Sequence, residues 1–316
     1  MRIAVIGAGG IGAIYGAALA KAGVEVTFVA RGAHLRAMQQ NGLTIEGDRG
    51  ETLVRPAHAV DDIAAIDASG GPIDYALLCV KLWDVESAAS RLRPIVGAGA
   101  AVVTLQNGVS AHEPLLAMLG RSAVMPGTAF VTGSIVAPGV VRQTGTYMRM
   151  SFGELDGTPS RRGEALRDAC AAAGIEGIFS PDVMVPIWEK FLVLVPLANV
   201  NALTRLPLGR YRADPDTWAL VEKSLYETAA VGRAEGVRLP PDAEAQGVAM
   251  LRSMPDHHMT SMGNDLLRGG RLELPWFAGK VGELGRRHGI PTPVNDFVYA
   301  ALKLHAAGAP AAAGPG

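Results

Sequence analysis

The sequence predicts an α/β fold, with an N-terminal Rossmann-type dinucleotide-binding domain over residues 1–180 and an all-α C-terminal domain over residues 181–316. Three observations carry that prediction. Apolar runs without polar alternation recur through the first half and alternate with helical patterns, as parallel strands covered by helices on both faces do. Four glycines, at 7, 9, 10 and 12, follow the first of these runs directly. From Pro181 onward almost every segment has helical periodicity. A chain of 316 residues also suits two cores better than one, at roughly 150 residues per domain.

In chain order, the first strand is expected at 3–6, the first helix at 11–22 and the second strand at 24–29. Further strands are expected at 75–80, 101–105, 124–131 and 135–142. Between 135 and 153 the pattern changes, and Pro138-Gly139 and Thr144-Gly145 separate segments that read as antiparallel hairpins closing the sheet. A helix over 159–173, stopped by Gly174, completes the first domain. The second domain reads as helices at 183–202, 216–235, 242–254, 257–268, 275–288 and 295–306. Gly236, Gly269-Gly270 and Gly289 stand where helices end, and Pro275 where one begins. Residues 306–316 are only Ala, Gly and Pro and read as a frayed tail.

Composition narrows the function. The chain is 49% apolar and 19% charged, enough to bury sizeable cores. Its 29 Lys plus Arg nearly cancel its 30 Asp plus Glu, so no field draws it to nucleic acid or to a membrane surface, and a small-molecule partner fits better. Only Cys79 and Cys170 are present, which points to a reducing, cytoplasmic setting rather than a disulfide framework. The apolar first twenty residues do not suit a secretory signal, because clustered glycines break the compact helix such a segment forms. The seven histidines show no metal-ligand spacing, so no metal is expected.

Gly7-Ala8-Gly9-Gly10-Ile11-Gly12 closes a strand and opens a helix, the context a G-x-G-x-x-G fingerprint requires. Gly7 permits the tight turn, Gly9 lets a pyrophosphate reach the backbone, and Gly12 lets helix pack on strand, while the phosphates sit at the helix N-terminus. Gly10 and Ile11 complete the cofactor-binding loop. The second strand ends in Ala30-Arg31, where an NAD enzyme places an Asp or Glu for the ribose 2′-hydroxyl. A guanidinium suits a 2′-phosphate, which favours NADPH; the alternative is an ordinary solvated charge. Lys81 and Gln106-Asn107-Gly108 follow apolar strands at their C-terminal ends, where ligands of an open α/β sheet bind.

Lys190 lies among apolar residues of a helix that reads as buried on most sides. Its stem could simply snorkel to a surface. Buried, it would lose basicity to desolvation and regain some from a carboxylate such as Glu273, which leaves a proton donor near neutral pH. Glu273 sits in a short connection between Gly269-Gly270 and Pro275. Ser261 is ambiguous, since a lone helical Ser commonly bonds its own backbone.

These segments together resemble the ketopantoate reductase (2-dehydropantoate 2-reductase) family over almost the whole chain: GAGGIG at 7–12, Arg31, CVKLWD at 79–84, QNG at 106–108, IWEKF at 187–191, and Ser261 followed by Glu273. The resemblance implies reduction of a small 2-keto acid by NADPH. It implies Lys190 as the catalytic lysine, with Glu273 beside it, Ser261 and Glu273 holding substrate, and Lys81 and Asn107 as polar residues near the nicotinamide, Asn107 also toward the substrate. A homodimer is left open.

One departure concerns the substrate. Family members acting on ketopantoate place asparagines four and eight residues after the lysine, where this chain has Leu194 and Ala198. Asn199 and Asn201 close by are expected to face other directions on the helix. The segment 272–276, Leu-Glu-Leu-Pro-Trp, is also less polar than the family version. Two other readings remain from the residues alone: a related reductase of another carbonyl or an imine, and a non-catalytic NADPH-binding sensor.

Overall fold

The computed structural model describes residues 1–48, 50–69 and 71–309, the side chains of 67–69 excepted. The chain divides into two compact units, Met1–Val183 and Met184–Gly316.

The first unit opens with β1 (Arg2–Ile6), α1 (Gly10–Lys21), β2 (Glu25–Val29) and α2 (Gly32–Asn41), then β3 (Leu43–Gly47), β4 (Thr52–Val54) and β5 (His58–Val60). It continues with β6 (Tyr75–Leu78), α3 (Val85–Leu92), β7 (Ala101–Thr104), α4 (His112–Leu119) and β8 (Val124–Met125). It ends with β9 (Gly127–Ala137), β10 (Val140–Phe152), α5 (Arg161–Ala172) and β11 (Glu176–Phe179). Six strands form one sheet in the order β5-β2-β1-β6-β7-β8, every neighbouring pair parallel. Its central strands are covered on both faces. Leu77 of β6 packs into one cluster with Val5, Tyr15 and Phe28, and Leu78 into another with Ala4, Ile6 and Leu92. That is why these runs lack polar alternation.

The hairpin region differs from expectation in two ways. Pro138-Gly139 is a turn, between β9 and β10, but Thr144-Gly145 lies inside the continuous strand β10, where the pairing with β9 only shifts register. The hairpin also does not close the first sheet. It builds a second, in which β10 pairs antiparallel with β9 along one edge and parallel with β3 and β11 on the other. The expected strand at 124–131 is broken by Pro126 into β8 and the start of β9.

The second unit is helical: α6 (Met184–Thr204), α7 (Leu208–Arg212), α8 (Pro215–Ala234), α9 (Ala243–Ser253), α10 (Ser261–Leu267), α11 (Ala278–His288) and α12 (Pro293–Leu302). Local chemistry sets the ends. Asp214 caps α8 by accepting from the Thr217 amide at 2.8 Å with Pro215 in the first turn, and Gly289 ends α11 in the left-handed region. Residues expected as one helix over 257–268 form only α10, because the Thr260 hydroxyl accepts from the Gly263 amide and fixes the helix start there. The expected helix at 275–288 begins as a single 3₁₀ turn, Leu274–Trp276, before α11. The first residues of the expected tail are pinned, since Leu272 donates to the Ala306 carbonyl and Ala309 to that of Gly269. The remainder, 310–316, lies outside the described residues.

Candidate active site

The glycine loop can be read atom by atom. Gly7 has φ +98°, a conformation side chains rarely adopt, and its amide and that of Ala8 both donate to the Val29 carbonyl, at 3.2 and 2.8 Å. A Cβ on Gly12 would stand 2.3 Å from the Gly7 carbonyl oxygen and 2.9 Å from Val5, so Gly12 permits helix-on-strand contact. A Cβ on Gly9 would meet no protein atom within 4 Å; the space it faces is open for a ligand. Gly10 answers to something else. Its Cβ would stand 2.1 Å from the carbonyl oxygen of Gly133, so it is glycine because β9 crosses over the start of α1.

A cleft of about 340 Å³ opens beside this loop, lined by Gly7 and Gly9, by Arg31 after β2, by Asp61 after β5, and by Asp84 and Arg91 of the α3 region. Arg31 is exposed at the N-cap of α2. Three residues into that helix, His34 accepts from the Gly139 amide at 3.0 Å and so ties the hairpin turn to it. Open space before Gly9, backbone amides at the N-terminus of α1, and a guanidinium at the end of β2 fit the phosphates of a dinucleotide.

Lys81 follows β6 and leads a 3₁₀ turn, with its ammonium 5.5 Å from the centre of the Trp83 ring. Asn107 follows β7 and is partly buried. Gln106, expected with Asn107 at a ligand-facing strand end, is instead a brace: its amide donates to the carbonyls of Leu78 at 2.9 Å and Val80 at 3.2 Å, joining the ends of β6 and β7.

The second unit brings Lys190 and Glu273 together. Lys190 lies on α6, where Ile187, Trp188 and Phe191 are buried. Burial pushes its ammonium down, the negative charge of Glu273 pulls the other way, and the balance sets its pKa at about 8. Glu273 is only 3% exposed and immediately precedes the 3₁₀ turn at 274–276, to which its side chain gives no capping hydrogen bond. Ser261 is the exposed first residue of α10. Thr260, not Ser261, supplies the helix cap, so the Ser261 hydroxyl is not committed to its own helix.

Asn201 accounts for Ser261's position. Its side-chain oxygen accepts from the Thr260 amide at 3.0 Å and the Thr260 hydroxyl at 2.9 Å, and its amide donates to the Leu206 carbonyl at 2.6 Å. Gly263 leaves room for it, since a Cβ there would stand 2.0 Å from that oxygen. Contrary to the expectation that it faces another direction, Asn201 lies eleven residues beyond Lys190, about three helical turns, and so on the same side of α6, from which it reaches the start of α10. Leu194 is partly buried and Ala198 fully so, leaving no polar atom at either side chain. Among the described residues no cluster of His, Cys, Asp and Glu could hold a metal, and no helix is long and apolar enough to cross a membrane.

Both units match known proteins. The family model for ketopantoate reductase PanE/ApbA matches residues 3–157, and the model for its C-terminal part matches residues 182–306. A 2-dehydropantoate 2-reductase of Mesorhizobium japonicum is 35% identical, covering 96% of this chain and 97% of its own. The crystal structure of a PanE/ApbA family ketopantoate reductase from Ralstonia eutropha JMP134 superposes with a TM-score of 0.88 at 32% identity, covering 97% of this chain and 98% of its own. That of a 2-dehydropantoate 2-reductase from Methylococcus capsulatus gives 0.86 at 29% identity, covering 96% of each chain. With a dinucleotide loop in one unit, a lysine–glutamate pair in the other and relatives matched end to end, the chain belongs to the ketopantoate reductase family, oxidoreductases that act on CH–OH groups with a nicotinamide cofactor.

Proposed function

We propose that the chain reduces the ketone of a small 2-keto acid with NADPH, and that Lys190 is its proton donor. The observation that carries this reading is a lysine held near pKa 8 beside a buried glutamate. When bound, the reduced nicotinamide supplies the hydride. Lys190 is mostly protonated at neutral pH, so its ammonium stabilises the carbonyl oxygen as that oxygen gains charge and then gives it the proton. Glu273 keeps Lys190 charged against the desolvation that would strip its proton. Ser261, at the head of a helix that Asn201 anchors, offers a hydroxyl to the substrate, and Asn107 and Lys81 serve the nicotinamide end. The test is NADPH consumption by the purified enzyme over a panel of 2-keto acids; no oxidation with any of them would favour a cofactor-binding sensor.

Leu194 and Ala198 favour a 2-keto acid other than ketopantoate. A substrate hydroxyl buried against them lacks a partner, at a cost of about 1–3 kcal/mol. Ketopantoate is therefore expected to be a poor member of the panel, and a kcat/KM above about 10⁴ M⁻¹s⁻¹ would overturn that expectation.

Support for NADPH over NADH comes from Arg31. Arg31→Ala is expected to weaken NADPH by about ten- to a hundredfold, the worth of a charge-assisted contact, and NADH much less. Equal weakening of the two in a fluorescence titration would remove that support. The same reading extends to a cytoplasmic location, supported by the free Cys79 and Cys170, and to a homodimer. The dimer is supported by Tyr226 and Phe297, exposed beside an apolar groove along α8 and α12.

A further inference from the structure

Ala30, the residue just after β2, stands where an NAD enzyme carries its acid, but the sheet places an acid one strand away. β5 runs parallel to β2 with Val29 opposite Val60, and the Ala30 amide donates to the Val60 carbonyl at 3.0 Å. The next residue, Asp61, thus leaves β5 beside Ala30, at a strand spacing of about 4.8 Å. It is exposed and lines the same cleft as Ala30, Arg31 and Gly7. Its neighbour Asp62 is already engaged, accepting from the Ala64 amide at 3.0 Å and pairing with Arg91 at 3.2 Å. Among the described residues Asp61 has no such bond.

We propose that Asp61 accepts a hydrogen bond from the adenosine ribose 2′-hydroxyl, so that the cleft takes NADH as well as NADPH. This rests on the reading of the cleft as a dinucleotide site. The carboxylate does from the adjacent strand what an acid at the end of β2 does elsewhere. Arg31 serves the 2′-phosphate and Asp61 the bare hydroxyl. Since a carboxylate also repels a phosphate, Asp61 sets the ratio between the two cofactors from both sides.

The experiment uses the full-length enzyme and its Asp61→Asn variant, titrated with NADH and NADPH by fluorescence and with 5′-AMP and 2′,5′-ADP in competition. Asp61→Asn is expected to weaken NADH and 5′-AMP about tenfold, the size of one charged hydrogen bond, and to tighten NADPH and 2′,5′-ADP. Retained NADPH binding shows that the variant is folded. The proposal is overturned if the wild type does not bind NADH, if both cofactors change equally, or if NADH affinity stays within about twofold, less than a hydrogen bond contributes. Arg31→Ala measured in parallel separates the two ideas, because failure of the 2′-phosphate reading appears there in NADPH, whereas failure at Asp61 appears in NADH.

Discussion

Lys190→Ala is expected to lose about 10² to 10⁴ of kcat, the range of general acid catalysis, while binding NADPH as the wild type does. The cofactor loop and Arg31 belong to Met1–Val183 and Lys190 to the other unit, so the two effects are separable. The pH profile adds a second signature. The protonated lysine is the active form, so kcat holds below the Lys190 pKa of about 8 and falls as pH rises through it. Glu273→Gln removes the charge that raises that pKa, so the fall should move to lower pH, with KM rising if the carboxylate also holds substrate. A Lys190→Ala enzyme that keeps more than about a tenth of kcat would mark Lys190 as a core lysine rather than a general acid.

Gly10→Ala and Gly9→Ala, adjacent and chemically identical, are expected to fail differently. The Gly10 methyl would run into backbone, with the Gly133 carbonyl carbon at 2.6 Å and the Ser134 amide at 3.1 Å, so β9 or α1 must shift. Such overpacking costs about 1–3 kcal/mol, occasionally more, and should appear as a lower unfolding midpoint in denaturant. The Gly9 methyl meets no protein atom within 4 Å, so Gly9→Ala should unfold like the wild type yet bind the dinucleotide weakly. Equal stability of the two variants would show that the β9 crossing does not constrain Gly10.

Sequence periodicity made the central strands legible because β1, β6 and β7 are buried on both faces, and the helix stops legible because Gly236, Gly269 and Gly289 take positive φ. It missed β4 and β5, which at three residues each hold too little pattern to detect, and α4, whose eight residues include Pro114. The same limit hid Asp61, which matters only through the pairing of β5 with β2. Lys190 and Glu273 stood out because a charge in an apolar helix and an acid in a short connection are locally odd. Asn201 did not, since its role depends on its hydrogen bonds to Thr260, 59 residues further along the chain at the start of α10.

The helix α5 bears on how the first unit can be divided. Arg162 grips Glu154 through two bonds, at 2.7 and 2.6 Å, and donates to the Ala100 carbonyl at 3.1 Å, while its own carbonyl accepts from Tyr75 at 2.6 Å. Leu166, Cys170 and Ile175 fill the cluster shared by Val5 and Phe28. A fragment ended at residue 157, where the first family match stops, would discard this plug and strand β11 together and leave apolar faces of both sheets bare. The smallest piece suited to separate expression, or to carriage in a fusion protein, is therefore Met1–Val183.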